Sequence, residues 1–89
     1  MAQPLGDVPA PAGRELFVRH ARRDGRSIVV LRAVDYGHEC IVETLVYPPN
    51  STSALPTRPY TFTDARQATV FVTEAVEALM YLGCDIQAA

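Results

Sequence analysis

The only helical periodicity in this chain comes near its end, after everything else. Ala68, Phe71, Val72, Ala75, Val76, Leu79 and Leu82 recur at i, i+3, i+4 spacing and form a broad apolar stripe. Arg66, Gln67, Thr73, Glu74 and Glu77 occupy the opposite side. Thr63 or Asp64 caps the start, and Gln67, three residues after Asp64, completes the pattern of a capping box. Gly83 stands where a glycine in the left-handed conformation closes a helix. One helix can cover one face of a sheet and no more. The remaining segments must therefore build a sheet with one face against the helix and the other left to something else.

Those segments read as strands. Residues 15–22 alternate, and Asp24-Gly25 follows, a strong hairpin signal because a type I′ turn needs two residues with positive φ. With a two-residue turn there, Arg23 pairs with Arg26, Val18 with Leu31 and Phe17 with Arg32 in a second strand over 26–34. Tyr36-Gly37 reads as the next turn, and a third strand over 39–47 then pairs Arg32 with Ile41 and Val30 with Glu43. Pro48-Pro49 ends it, because proline cannot donate to a ladder. Residues 48–58 read as a Pro/Ser/Thr loop, and Tyr60 to Thr63 as a short edge strand. The expected fold is α+β: an antiparallel four-stranded sheet, made of a three-strand meander plus a short edge strand, with one C-terminal helix on one face. Residues 1–13, with three prolines and two glycines, read as a flexible tail, and 14–89 as a single β-β-β-β-α domain.

This register divides the sheet residues in two. Leu16, Val18, His20, Val29, Leu31, Ala33, Cys40, Val42, Thr44 and Val46 form the expected core face. Within it, Val18, Leu31 and Val42 are expected to meet Val72 and Leu79 of the helix as the most buried residues. The other face mixes charge with large apolar groups: Phe17, Arg19, Ile28, Val30, Arg32, Ile41, Leu45 and Tyr47, joined by Ala21, Glu39 and Glu43.

The totals remove several classes of function. Eighty-nine residues suffice for one domain, and 48% apolar residues suit a globular chain. A formal net charge of -2 offers no general attraction to polyanions. The charge is uneven, with six arginines against Glu15 and Asp24 over residues 14–32 and two arginines against seven acids afterwards. The N-terminal residues lack the basic start and apolar run of a signal peptide, and no stretch approaches the ~20 apolar residues of a membrane helix. A cytoplasmic setting without membrane contact is expected, with Cys40 and Cys84 as reduced thiols.

No catalytic or metal-binding constellation stands out. Metal binding at His20 or His38 would need further converging ligands, so a structural role is the simpler reading for both. Neither cysteine has an arguable base, and no G-x-S-x-G or Gly-rich phosphate loop exists. Glu39 and Glu43 near Arg32 read as cross-strand ion pairs rather than an acid–base pair. No cofactor, no metal and no enzymatic activity are expected. The Arg22-Arg23-x-x-Arg26 run reads as a solvated turn.

The mixed face carries the functional expectation, because it exceeds the apolar area a monomer usually leaves bare. A homodimer or another protein partner could cover it, or the chain's own tail or the 48–58 loop could fold over it. Single-stranded nucleic acid, stacking on aromatic rings and tracking arginines, ranks behind, since Glu39 and Glu43 on the same face oppose a polyanion.

Two resemblances bear on this reading. The β-β-β-β-α order resembles that of the Whirly, PUR and positive-cofactor-four-like binders of single-stranded nucleic acid, in element order alone. The stretch Tyr60-Thr-Phe-Thr-Asp-Ala-Arg-Gln-Ala-Thr-Val-Phe-Val to Leu-Gly-Cys-Asp-Ile86 resembles the C-terminal half of small conserved hypothetical proteins of Burkholderia-type bacteria. Those have no assigned activity, so the likeness implies a bacterial cytosolic setting and carries no site over. The expectation is a non-enzymatic small bacterial protein, self-associating or protein-binding through the open sheet face. The alternative is a weak single-stranded nucleic-acid binder.

Overall fold

The first hairpin forms where Asp24-Gly25 directs it. A computed structural model describes residues 13–88; of the tail expected over 1–13, all but Gly13 lies outside the described residues. Strands β1 (Arg14–Arg23) and β2 (Arg26–Asp35) flank the turn, in which Asp24 has φ 52° and Gly25 φ 76°. Both central residues are left-handed, as a type I′ turn requires. β3 (Cys40–Val46) continues the meander antiparallel to β2.

The sheet has six strands, not the four expected. β4 (Leu55–Pro56) and β5 (Tyr60–Phe62) both pair with the outer edge of β3, one against Leu45 and Val46, the other against Cys40 to Val42. Together they make one edge strand broken at residues 57–59. Thr57 bridges part of the break, its N–H donating to the Thr44 carbonyl at 3.0 Å. The last strand, β6 (Asp85–Ala88), follows the helix and pairs with residues 19–22 of β1, giving the order β4-β3-β2-β1-β6. A four-residue segment with the single large apolar residue Ile86 carries no strand signal that alternation could reveal.

The hairpin register holds at the turn and slips beyond it. Arg23 pairs with Arg26 and Arg22 with Ser27, but Ala21 then pairs with Val29, leaving Ile28 as an extra residue in β2. A second irregularity at Leu16 in β1 restores the original offset. Between the two bulges Val18 faces Arg32 and Phe17 faces Ala33, one place away from the expected pairs. A bulge inserts one unpaired residue and shifts every following side chain to the other face. Phe17, Arg19 and Ala21 therefore share the helix-facing side with Leu31 and Val29, while Val18 and His20 turn to the other side.

The β2–β3 register is off by two residues and so keeps its faces. Arg32 pairs with Glu43 and Val30 with Leu45. The turn is a four-residue loop, 36–39, closed by the Tyr36 N–H donating to the Glu39 carbonyl at 2.8 Å. Only Gly37 within it has positive φ, at 92°. A two-residue type I′ turn would force Tyr36 into that region as well, at a steric cost that the longer loop avoids.

Helix α1 (Ala65–Tyr81) crosses the face made by Leu31, Ala33, Cys40 and Val42, and buries Ala68 and Val72 against it. Leu16, Phe17, Val29, Phe62, Phe71 and Leu79 ring this cluster. Phe71 also meets the rings of Tyr60 and Phe62, at centroid distances of 4.6 and 5.3 Å. Of the five residues expected to be most buried, Leu31, Val42 and Val72 are; Leu79 and Val18 are half-buried.

Both helix caps follow local chemistry. The Asp64 carboxylate accepts from the Gln67 N–H at 2.9 Å. The returning arm reaches one residue further back than a standard capping box, with the Thr63 hydroxyl and N–H donating to Gln67 Oε1. At the other end the Gly83 N–H donates to Met80 and the Cys84 N–H to Leu79, the pair of bonds that defines a Schellman motif, with Gly83 at φ 92°. Leu82, expected in the apolar stripe, is the C-cap residue and is 67% exposed. The final turn runs past the sheet that buries the rest of the stripe.

Candidate interaction face

The sheet face away from α1 is laid out in rows set by strand pairing. Glu15, Val34 and Ile41 form one row; Val18, Arg32 and Glu43 the next; Gln87, His20, Val30 and Leu45 the third. Of the residues expected on this face, Val30, Arg32, Ile41 and Leu45 lie in these rows. Ile28 is the bulged residue and is half-buried. Tyr47 stands just past the end of β3, held by its N–H to the Ile28 carbonyl at 2.9 Å. Phe17 and Arg19 do not belong to the face, because the bulges place them on the helix side. There the Arg19 guanidinium lies 5.1 Å from the centre of the Phe17 ring and donates to the Val18 carbonyl. His20, expected in the core, is instead on the open face.

An ion triad occupies the middle of the face. Arg32 Nε donates to Glu15 Oε1 and Arg32 Nη1 to Glu43 Oε1, each at 2.8 Å. Its hydrogen bonds to Glu15 and then to Glu43 raise the guanidinium pKa above its ordinary value. All three side chains are about half exposed, so the triad orders the surface more than it stabilises the fold. Glu43 was legible as a partner of Arg32. Glu15 was not singled out, although it pairs with Val34 at the offset expected from the hairpin turn and so lies on this face in either register. Glu39, the other expected partner, lies beside His38 in the β2–β3 loop, 3.7 Å from its Nε2.

Much of the apolar surface on this face is already covered. Val34 is 2% exposed. The backbone at Gly13 lies so close to Val34 and the Tyr36 ring that a Cβ at position 13 would collide with both. Val30 is 8% exposed and forms the floor of a cleft of about 340 Å³. Leu45, Pro56 and Pro59 line the cleft, with Arg32 and Glu43 at its charged end. The 48–58 loop, one of the covers considered for this face, thus contributes one wall of the cleft and pairs with Leu45 through Pro56, yet leaves Leu45 37% exposed. Val18 and Ile41 remain half-buried beside it.

The other candidate groups stay apart. Cys40 and Cys84 are free and buried. Burial, reinforced by Asp35, pushes the Cys40 thiol pKa up and keeps it protonated. Among the described residues no three His, Cys, Asp or Glu side chains converge as metal ligands, and no helix is long and apolar enough to cross a membrane. At the hairpin tip Arg22 Nη2 donates to the Gly25 carbonyl at 2.6 Å, tying one arginine of the cluster to its own turn. Comparison with protein-family models, curated proteins and solved structures gives no match, so neither sequence resemblance is carried further.

Proposed function

We propose that this chain is a non-enzymatic protein-binding module that joins a second copy of itself, or another polypeptide, through the open sheet face. One observation carries the reading: α1 covers a single face of the sheet, while the other presents Val18, Ile41 and Leu45 around an ordered Glu15–Arg32–Glu43 triad. A patch that holds both charge signs among apolar groups offers both partners of an ion pair, one condition for a two-fold interface. The same triad disfavours nucleic acid, because two carboxylates engage the face's central arginine and leave the triad formally at minus one.

Sedimentation of the full chain tests this. The expected mass is near twice 9.7 kDa, reduced to that of the monomer by Ile41→Glu and, at a more exposed position, by Leu45→Glu. A monomer at every concentration removes self-association. A loss of several kcal/mol of stability in Leu45→Glu marks the face as core rather than interface. Salt-sensitive binding of mixed single-stranded oligonucleotides tighter than ~10 μM would replace the reading with the nucleic-acid one.

A further inference from the structure

The cleft over Val30 restricts the chemistry of what the face can hold. At about 340 Å³ it lies at the low end of ligand-site volumes, room for one or two side chains rather than a nucleotide cofactor. Its floor and sides are mainly apolar, formed by Val30, Leu45, Pro56 and Pro59 with Thr44 and Thr57 beside them. Two of the apolar groups are proline rings, whose fixed φ keeps the wall in place before anything binds. Its far end is charged and unbalanced. Arg32 already donates to Glu15 and to Glu43 through one oxygen of each, and the second oxygen of each carboxylate accepts no hydrogen bond among the described residues. A second cation arriving there finds acceptors, and a second anion meets repulsion. Arg58, on the same loop, does not line the cleft.

We propose that the cleft seats an aliphatic side chain of an extended partner segment, with a neighbouring basic residue of that segment held by the Glu43 carboxylate. The inference rests on the open face being a protein-binding surface and names the chemistry of its partner. The carboxylates are half exposed, so the charge preference is modest, about two- to fivefold.

Blocked tetrapeptides test it on the full chain: Gly-Leu-Arg-Gly, the Glu peptide Gly-Leu-Glu-Gly and the Ser peptide Gly-Ser-Arg-Gly, titrated by amide-resolved NMR. The Arg peptide is expected to shift the amides of Val30, Leu45 and Thr57 saturably. The Glu peptide should bind about two- to fivefold more weakly, and the Ser peptide should not saturate. Glu43→Gln, a surface change that leaves the core untouched, should erase the difference between the Arg and Glu peptides. Equal binding of those two peptides, shifts confined to other residues, or no saturable shift overturns the proposal. Sedimentation separates its failure from that of the underlying reading. A dimer that depends on Ile41 and excludes the Arg peptide shows a second copy in the cleft, which overturns this inference and keeps the open-face reading. A monomer that binds the Arg peptide with the stated preference keeps the inference and removes self-association.

Discussion

Ala21 and His20 are neighbours in sequence, and the bulge at Ile28 decides which of them is inside. With an unbulged hairpin, His20 would lie in the core and Ala21 on the open face. In the structure Ala21 is 2% exposed between Val29 of β2 and Ile86 of β6, while half-buried His20 faces the other way. Ala21→Asp therefore places a short carboxylate in an apolar site too tight for it to reach water. An uncompensated buried charge costs ~3–5 kcal/mol. A domain of this size has a total stability near ~5 kcal/mol at the low end of the usual range. Ala21→Asp should thus remove most of the stability at neutral pH, whereas His20→Asp should cost under ~1 kcal/mol. The pH dependence adds a second signature. The introduced carboxyl has a folded-state pKa above its unfolded value, so the penalty is fully present at neutral pH. It is relieved as pH falls through the folded pKa and disappears below the unfolded one. Urea unfolding followed by circular dichroism, at neutral and mildly acidic pH, reads both effects. If His20→Asp proves the more damaging substitution, β1 lacks the bulged register and the face assignment falls with it.

Two further outcomes follow from local chemistry. Asp64→Ala, which removes the acceptor of the Gln67 N–H, should cost ~1 kcal/mol in the same assay, and Gly83→Ala, which puts a Cβ at φ 92°, ~1–2 kcal/mol. The raised pKa of Cys40 gives stability that is intact below the ordinary thiol pKa of about 8.5 and is lost as pH rises through the folded value, a loss that Cys40→Ala should abolish.

What the sequence made legible is what adjacent residues decide. Asp24-Gly25, the Asp64 cap and the Gly83 terminus each follow from one or two residues with a strong local preference, and each stands where expected. The faces of β2 and β3 were legible because one charged residue in each, Arg32 and Glu43, marks the open side, and a register error of two residues leaves those faces unchanged. β1 was not, because Leu16, Phe17 and Val18 are all apolar. Three consecutive apolar residues fit either phase, and nothing in them fixes the bulges that set it. The strands β4 and β6 were missed for a different reason. They are short segments whose pairing depends on tertiary context, and Pro56 in β4 argues locally against a strand. The candidate face was legible in part: Val30, Arg32, Ile41 and Leu45 came from β2 and β3, whose mutual register keeps its faces, Ile28 fell on the bulge and Tyr47 just past β3, while Phe17 and Arg19 came from the stretch of β1 between the two irregularities.

The broken edge strand also bears on how a partner can approach. An exposed strand edge invites another chain to extend the sheet, and proteins commonly block it with proline or breaks in pairing. Residues 55–62 along β3 carry Pro56 and Pro59 and interrupt their ladder between them. Strand addition at that edge is therefore disfavoured, and the two prolines instead wall the cleft on the open face. A partner that meets the molecule here must bind by side chains rather than by backbone ladder. Side-chain docking over the Glu15–Arg32–Glu43 triad carries a condition, since covering charges without matching groups costs more than leaving them in water. Purely apolar surfaces are penalised at the centre of the face even though Val18, Ile41 and Leu45 surround it. On the proposed reading the blocked edge and the charged centre act together: the first disfavours a backbone ladder beside β3, and the second would make the face selective.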